Sequence, residues 1–126
     1  MSLTLALEAV ETAGFACQPS FADGKLTVSF HGTGDVAAVE LLASYLKRLH
    51  VEAQRLGATE VRCDFRKLSF MNSSCFKAFV VWIDTVKSSP EGYRIRFLTD
   101  PDMHWQKRSL EALRRLATNV VSIEGN

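Results

Sequence analysis

The stretch Asp64-Phe65-Arg66-Lys67-Leu68-Ser69-Phe70-Met71-Asn72-Ser73-Ser74-Cys75-Phe76 is the pivot of this sequence. Upstream of it, Val61, Cys63 and Phe65 alternate with Glu60, Arg62 and Asp64, the period-two pattern of a half-buried strand. Downstream, Phe76, Phe79, Val80 and Ile83 fall at i, i+3, i+4 and i+7, one face of a helix that ends before the loop Ser88-Ser89-Pro90-Glu91-Gly92. A strand therefore runs into a helix here, and the connecting segment delivers two hydroxyls to the helix N-terminus.

Working outward toward the N-terminus, Asp23-Gly24 separates two extended runs, Phe15 to Ala22 and Lys25 to Gly32, and predicts an antiparallel hairpin. Pro19 cannot donate to a ladder, which places the first of these strands at an edge or a bulge. In the second, Leu26, Val28 and Phe30 alternate with Thr27, Ser29 and His31. Asp35 is a natural N-cap for a helix whose stripe is Val39, Leu42, Leu46, Leu49, Ala53 and Leu56, with Gly57 as its stop. Toward the C-terminus, Tyr93 to Leu98 reads as a strand. Asp100-Pro101 then opens a helix to about Ala117 with the apolar stripe Leu110, Leu113 and Leu116, and Asn119 to Ile123 is the last strand. Residues 1–14 suit strand or helix equally and are taken as an N-terminal extension to a single domain over 15–126.

A hairpin followed by alternating helices and strands demands parallel pairing from the second strand onward. If sequence neighbours are sheet neighbours, right-handed crossovers put the three helices on one face. The alternation in the strands independently asks for one buried and one wet face. The fold class expected is α/β: a mixed sheet of about five strands with three helices mainly on one side.

Composition narrows the function. Apolar residues at 47% and charged residues at 23% describe an ordinary globular domain with one core. Fifteen Lys and Arg against fourteen Asp and Glu leave a net charge of +1, so no global field draws the chain to nucleic acid. The basic residues Lys107, Arg108, Arg114 and Arg115 read as a solvated helix face. The longest apolar run, Ala78 to Ile83, is far short of the roughly 20 residues of a membrane span. The N-terminus lacks a basic secretory n-region, and a cytoplasmic location is expected. Cys17, Cys63 and Cys75 are odd in number and widely spaced, which points to reduced thiols rather than a disulfide framework or zinc site. No metal or cofactor is expected.

In an open parallel sheet, ligands and partners meet the loops at the carboxyl ends of the strands. Three segments converge there: 31–35, 67–75 and 98–105. Asp64 through Phe79 also resembles the signature of the STAS domain family, named for sulfate transporters and anti-sigma factor antagonists. In that signature a strand runs through Phe, Ile or Met into Asp-Ser-Ser-Gly and an apolar helix. The likeness extends to the order of elements over residues 15 to 124, with Lys25 to Asp35 similar to the family's second strand and its Gly-x-x-Asp turn. Two positions depart from the pattern: Asn72 stands where the family has Asp, removing a charge beside the acceptor, and Cys75 stands where it has Gly.

The resemblance implies a phosphorylatable switch rather than a catalyst, with Ser74 as the matching phosphoacceptor and Ser73 as the alternative. It implies an anti-sigma-type serine kinase and a phosphatase as partners, the unphosphorylated form alone capturing the kinase. A partner surface of Met71, Asn72, Ser73, Ser74, Cys75 and Lys77 follows, joined by Asp102, His104 and Trp105 from the third segment. Three other readings are open. Ser73 or Ser74 could serve only as a helix cap. The domain could be an unphosphorylated accessory subunit, for example of a transporter ATPase. Cys75, in a first helical turn whose dipole favours thiolate, could be a nucleophile or redox sensor.

Overall fold

The computed structural model describes residues 4–90 and 92–125. Six strands form one sheet in sequential order: β1 (Val10–Thr12), β2 (Phe15–Ala22), β3 (Lys25–Gly34), β4 (Glu60–Met71), β5 (Arg94–Leu98) and β6 (Val121–Glu124). β1, β2 and β3 pair antiparallel, and β3 through β6 pair parallel. Three helices fill the crossovers: α1 (Val39–Leu56), α2 (Ser73–Lys87) and α3 (His104–Leu116).

The alternation seen in the sequence becomes the two faces of this sheet. Leu26, Val28, Phe30, Val61, Cys63, Phe65, Ile95 and Phe97 are fully buried. Their neighbours Thr27, Ser29, Arg62, Asp64 and Arg96 are half-buried on the other face. There Glu60 pairs with Arg62 and Arg96. α1 packs against α2, and α2 against α3, over the apolar face. Phe65 is the hub of the core, its ring 5.2–5.4 Å from those of Phe30, Phe79 and Phe97. All three pairs meet edge-to-face, the arrangement that the ring quadrupoles favour.

Several boundaries differ from the sequence reading. The segment taken as an extension supplies β1, which pairs with residues 15–17 of β2, and Leu7 joins the core. Beyond that short pairing β2 remains an edge, where Pro19 costs no ladder bond. Asp35 caps a short 3-10 turn, Val36–Ala38, that leads into α1, its side chain accepting from the Ala37 N–H at 3.0 Å. Asp100-Pro101 does not open α3. The Asp100 carboxylate accepts from the Asp102 N–H, an Asx turn, and the helix begins only at His104. In α3, Leu116 is 43% exposed, and the buried stripe is instead Gln106, Leu110, Leu113 and Ala117.

The largest difference lies in the pivot segment itself. β4 does not stop at Phe65 but continues to Met71, pairing with His31–Gly34 of β3. Two register shifts, between Ser29 and His31 and between Gly32 and Thr33, place an extra residue each time on β4. These bulges break the period-two pattern, so that Arg66-Lys67 and Ser69-Phe70 are exposed in succession and read as loop. The Asp64 carboxylate holds the first bulge, accepting from the backbone and the guanidinium of Arg66. Gly32 sits at the second with φ +92°, and a Cβ there would collide with the carbonyl of Gly14.

Candidate functional site

With β4 running to Met71 and α2 starting at Ser73, a single residue, Asn72, makes the connection. Its N–H donates to the Gly34 carbonyl at 2.7 Å, and its side-chain oxygen accepts from the Cys75 N–H at 2.8 Å. The first intrahelical bond runs from the Phe76 N–H to the Asn72 carbonyl. Asn72 is therefore the N-cap, and the alternative in which a serine caps the helix is corrected. Ser73 and Ser74 follow as the first two helical residues, both exposed. Neither hydroxyl has a hydrogen-bond partner among the described residues, and the amides of both precede the intrahelical ladder.

The platform under these serines is rigid. Gly34 lies so close to Phe70, Met71 and Cys75 that a Cβ would stand 3.3–3.5 Å from the Phe70 carbonyl, the Met71 Cα and the Cys75 Sγ. Ser69 donates to the Gly32 carbonyl at 2.9 Å, and Thr33 and Ser69 hydroxyls meet at 3.3 Å. Around the serines the surface is partly apolar: Val36 is 83% and Phe70 50% exposed, with Met71 half-buried. Lys77, one turn after Ser74, is exposed.

Cys75 departs from its expected place on the contact surface. It is fully buried, and its thiol lies 3.7 Å from the Asp35 carbonyl. Burial, and secondarily the Asp35 carboxylate, push its pKa above the ordinary thiol value. Desolvation opposes the thiolate that a helix N-terminus would otherwise favour. Cys17 and Cys63 are buried and shifted in the same direction.

The third segment is tied to the second by a residue the sequence did not single out. β5 ends opposite Asp64, which leaves the carbonyls on that side of β4 beyond this point without a strand partner. The buried amide of Gln106 replaces it, donating to Phe65 at 2.6 Å and Leu68 at 3.0 Å while accepting from the Asp100 N–H. A polar residue on the apolar stripe of a helix was the available signal. Trp105 is half-buried, its ring stacked on Phe65 at 6.5 Å, and its indole nitrogen is buried without a hydrogen-bond partner among the described residues. Asp102 and His104 are exposed. His104 opens onto a depression with Thr99, Met103 and Lys107, separate from the serines.

No family model matches the chain, and no curated protein matches it in sequence. Solved structures do match. The crystal structure of an anti-sigma factor antagonist from Mycobacterium paratuberculosis aligns with TM-score 0.63 at 14% identity, over 94% of this chain and 89% of that one. The fold is STAS-like. The same domain aligns with the crystal structure of the diguanylate cyclase SiaD in complex with its activator SiaC from Pseudomonas aeruginosa, with TM-score 0.58 at 16% identity, over 89% of this chain and 92% of that one. It also aligns with the NMR structure of the protein TM1081, with TM-score 0.56 at 10% identity, over 86% and 79%. Among the described residues of this STAS-like domain, no helix is long and apolar enough to cross a membrane.

Proposed function

We propose that this protein is a non-catalytic regulatory module that binds a protein partner at the N-terminal end of α2 and is switched by phosphorylation of Ser74. The observation that carries the reading is the division of labour at that helix. Asn72 does the capping, so an exposed serine occupies the first turn with a hydroxyl that the fold does not use. A phosphoserine brings about −1.5 to −2 charges, and the amides and dipole of a helix N-terminus favour an anion there. Lys77 adds a cation at i+3. The module accepts the phosphate without unfolding, whereas a partner covering the same surface must desolvate and oppose it.

The contact surface extends from Ser73 and Ser74 over Met71, Phe70, Val36 and Lys77, with Asp102, His104 and the half-buried Trp105 as a second patch at the same end of the sheet. Two of the structural neighbours support a role exerted on other proteins: one is named an anti-sigma factor antagonist, and another belongs to a complex of a cyclase with its activator. A serine kinase and a phosphatase acting on Ser74 complete the cycle.

Affinity capture with wild type, Ser74→Asp and Ser74→Ala tests this. Ser74→Asp keeps the fold and weakens the partner complex by about 2 kcal/mol or more, and Ser74→Ala binds constitutively. Equal capture by all three sinks the switch. Phosphate mapped to Ser73 by mass spectrometry moves the acceptor by one residue and keeps the mechanism.

A further inference from the structure

The sheet face turned away from the helices carries two rows of side chains across the strands, where β3, β4 and β5 begin. Register sets Ser20, Thr27, Arg62, Arg96 and Ser122 side by side in one row. In the other, Lys25 and Arg94 flank Glu60. Two arginines thus stand in register on adjacent strands about 4.8 Å apart, an arrangement in which like charges repel. Glu60 holds them there. Arg62 Nε donates to Glu60 Oε2 at 2.6 Å, and Arg96 Nε lies 3.3 Å from Oε1. The Glu60 side chain is 11% exposed and those of Arg62 and Arg96 are 32% and 37% exposed, so a ligand meets guanidinium and not carboxylate.

One carboxylate does not satisfy two guanidiniums. The Arg96 Nε is buried without a hydrogen-bond partner, and the terminal nitrogens of Arg62 and Arg96 donate no hydrogen bond among the described residues. The acidic groups around the pair are engaged or stand at its border. Asp64, one row further along β4, takes the guanidinium of Arg66 through two hydrogen bonds. Glu124 lies 3.8 Å from Arg96 Nη1, and Asp23 sits in the hairpin turn beyond Lys25. With all of these and Glu60 included, the cations Lys25, Arg62, Arg66, Arg94 and Arg96 remain in excess, and the excess is centred on Arg62, Arg94 and Arg96.

We propose that the Arg62 and Arg96 pair is a phosphate-binding site, which receives a phosphoserine or phosphothreonine carried on an extended segment of a partner protein. A carboxylate offers two oxygens, enough for one guanidinium fork, whereas a phosphate offers three and a charge near −2, enough to bridge two. The hydroxyls of Thr27 and Ser122 stand at either side of the pair to complete its shell. Neither row carries an aromatic side chain on which a nucleobase could stack, which argues against a nucleotide or a nucleic acid. An open sheet face also lacks the walls that enclose a small molecule, and it suits a group presented on a longer chain. The site is separate from the Ser74 switch, which lies past the other end of β4.

A synthetic peptide of Gly and Ala with one central phosphoserine, its unphosphorylated and Glu counterparts, and inorganic phosphate are titrated at constant ionic strength into the isotope-labelled protein. Amide signals and the Nε–Hε signals of the arginines are followed. The phosphopeptide is expected to shift Arg62, Arg96, Thr27 and Ser122 and to bind at least about fivefold more tightly than inorganic phosphate, with no saturable shift from the other two peptides. Arg62→Lys and Arg96→Lys keep the charge and lose the fork, and each weakens phosphopeptide binding about tenfold. Arg108→Lys, on the outer side of α3, leaves it unchanged. Amide spectra that otherwise match wild type show that the variants fold. Shifts confined to the N-terminal end of α2 or to α3, equal binding of the phosphoserine and Glu peptides, or undiminished binding by both Lys variants each overturn the site. Inorganic phosphate binding as tightly as the phosphopeptide overturns the protein segment as its source.

Discussion

Gln106 shows how one side chain can stand in for a strand. Its amide satisfies two carbonyls of β4 past the end of β5 and anchors the turn before α3. Gln106→Leu keeps the volume and leaves those groups buried without partners, at about 1 to 3 kcal/mol for each. Denaturant unfolding should show the loss, and a midpoint equal to wild type would mean that water or a shifted β5 takes over the bonds. Cys75 supplies a second test at this scale. Because burial raises its pKa, little thiolate exists near neutral pH, and iodoacetamide should label the native protein more slowly than a free thiol. Labelling faster than the free reference would revive the redox reading. A polar residue in an apolar stripe was visible in the sequence as an anomaly at Gln106, yet its partners were not, because they lie 41 and 38 residues away.

At the level of the elements, α2 carries the most weight, since it fills the middle of the helical layer and presents the candidate phosphoacceptor. Ile83 is fully buried on its inner face, and Phe79 contacts the rings of Phe30, Phe65 and Phe97. Ile83→Ala should cost about 2 to 5 kcal/mol by leaving a cavity in a layer pinned on both sides. A thermal midpoint within error of wild type would show that the layer closes around the gap. The inner face of α1 was legible from spacing alone, because 3.6-residue periodicity is a local property; that of α2 was legible in part, since Phe79 and Ile83 are buried as expected while Phe76 and Val80 are half-buried and Cys75, Trp82 and Val86 complete the buried face. The start of α3 was not legible. Pro101 satisfies the local preference for a first helical turn, but the Asx turn at Asp100 and the bond from its N–H to Gln106 hold that stretch outside the helix. The end of β4 was missed for a related reason: a bulge resets the phase of the alternation, and the strand partner that accommodates it is β3, far upstream.

For the molecule as a whole, Glu52 ties the N-terminal segment to the back of α1. Its carboxylate accepts from the amides of Ala6 and Leu7 and pairs with Arg55 at 2.7 Å. The Arg55 hydrogen bond, opposed by burial and aided by the two amides, lowers its pKa from the ordinary 4.5 to about 2. A folded-state pKa below the unfolded one stabilises the fold fully above the unfolded value, and that stability is lost as pH falls from about 4.5 toward 2. Glu52→Gln should lower stability at pH 7 and flatten this acid limb, read from unfolding midpoints between pH 7 and 3. A variant whose midpoints track wild type across that range would show that the segment is not coupled to global stability. The one-sided architecture, the inner stripe of α1, the Asp23-Gly24 hairpin and the place of Ser74 at a helix entrance were determined by the sequence itself, since each rests on residues within a few positions of one another. The tertiary structure alone decided that Asn72 and not a serine is the cap, that Cys75 faces inward against Asp35 and Gly34, and that β4 reaches Met71 on its bulges. Those features depend on which distant backbone or side chain arrives to accept a hydrogen bond or exclude water, and local pattern holds no record of that.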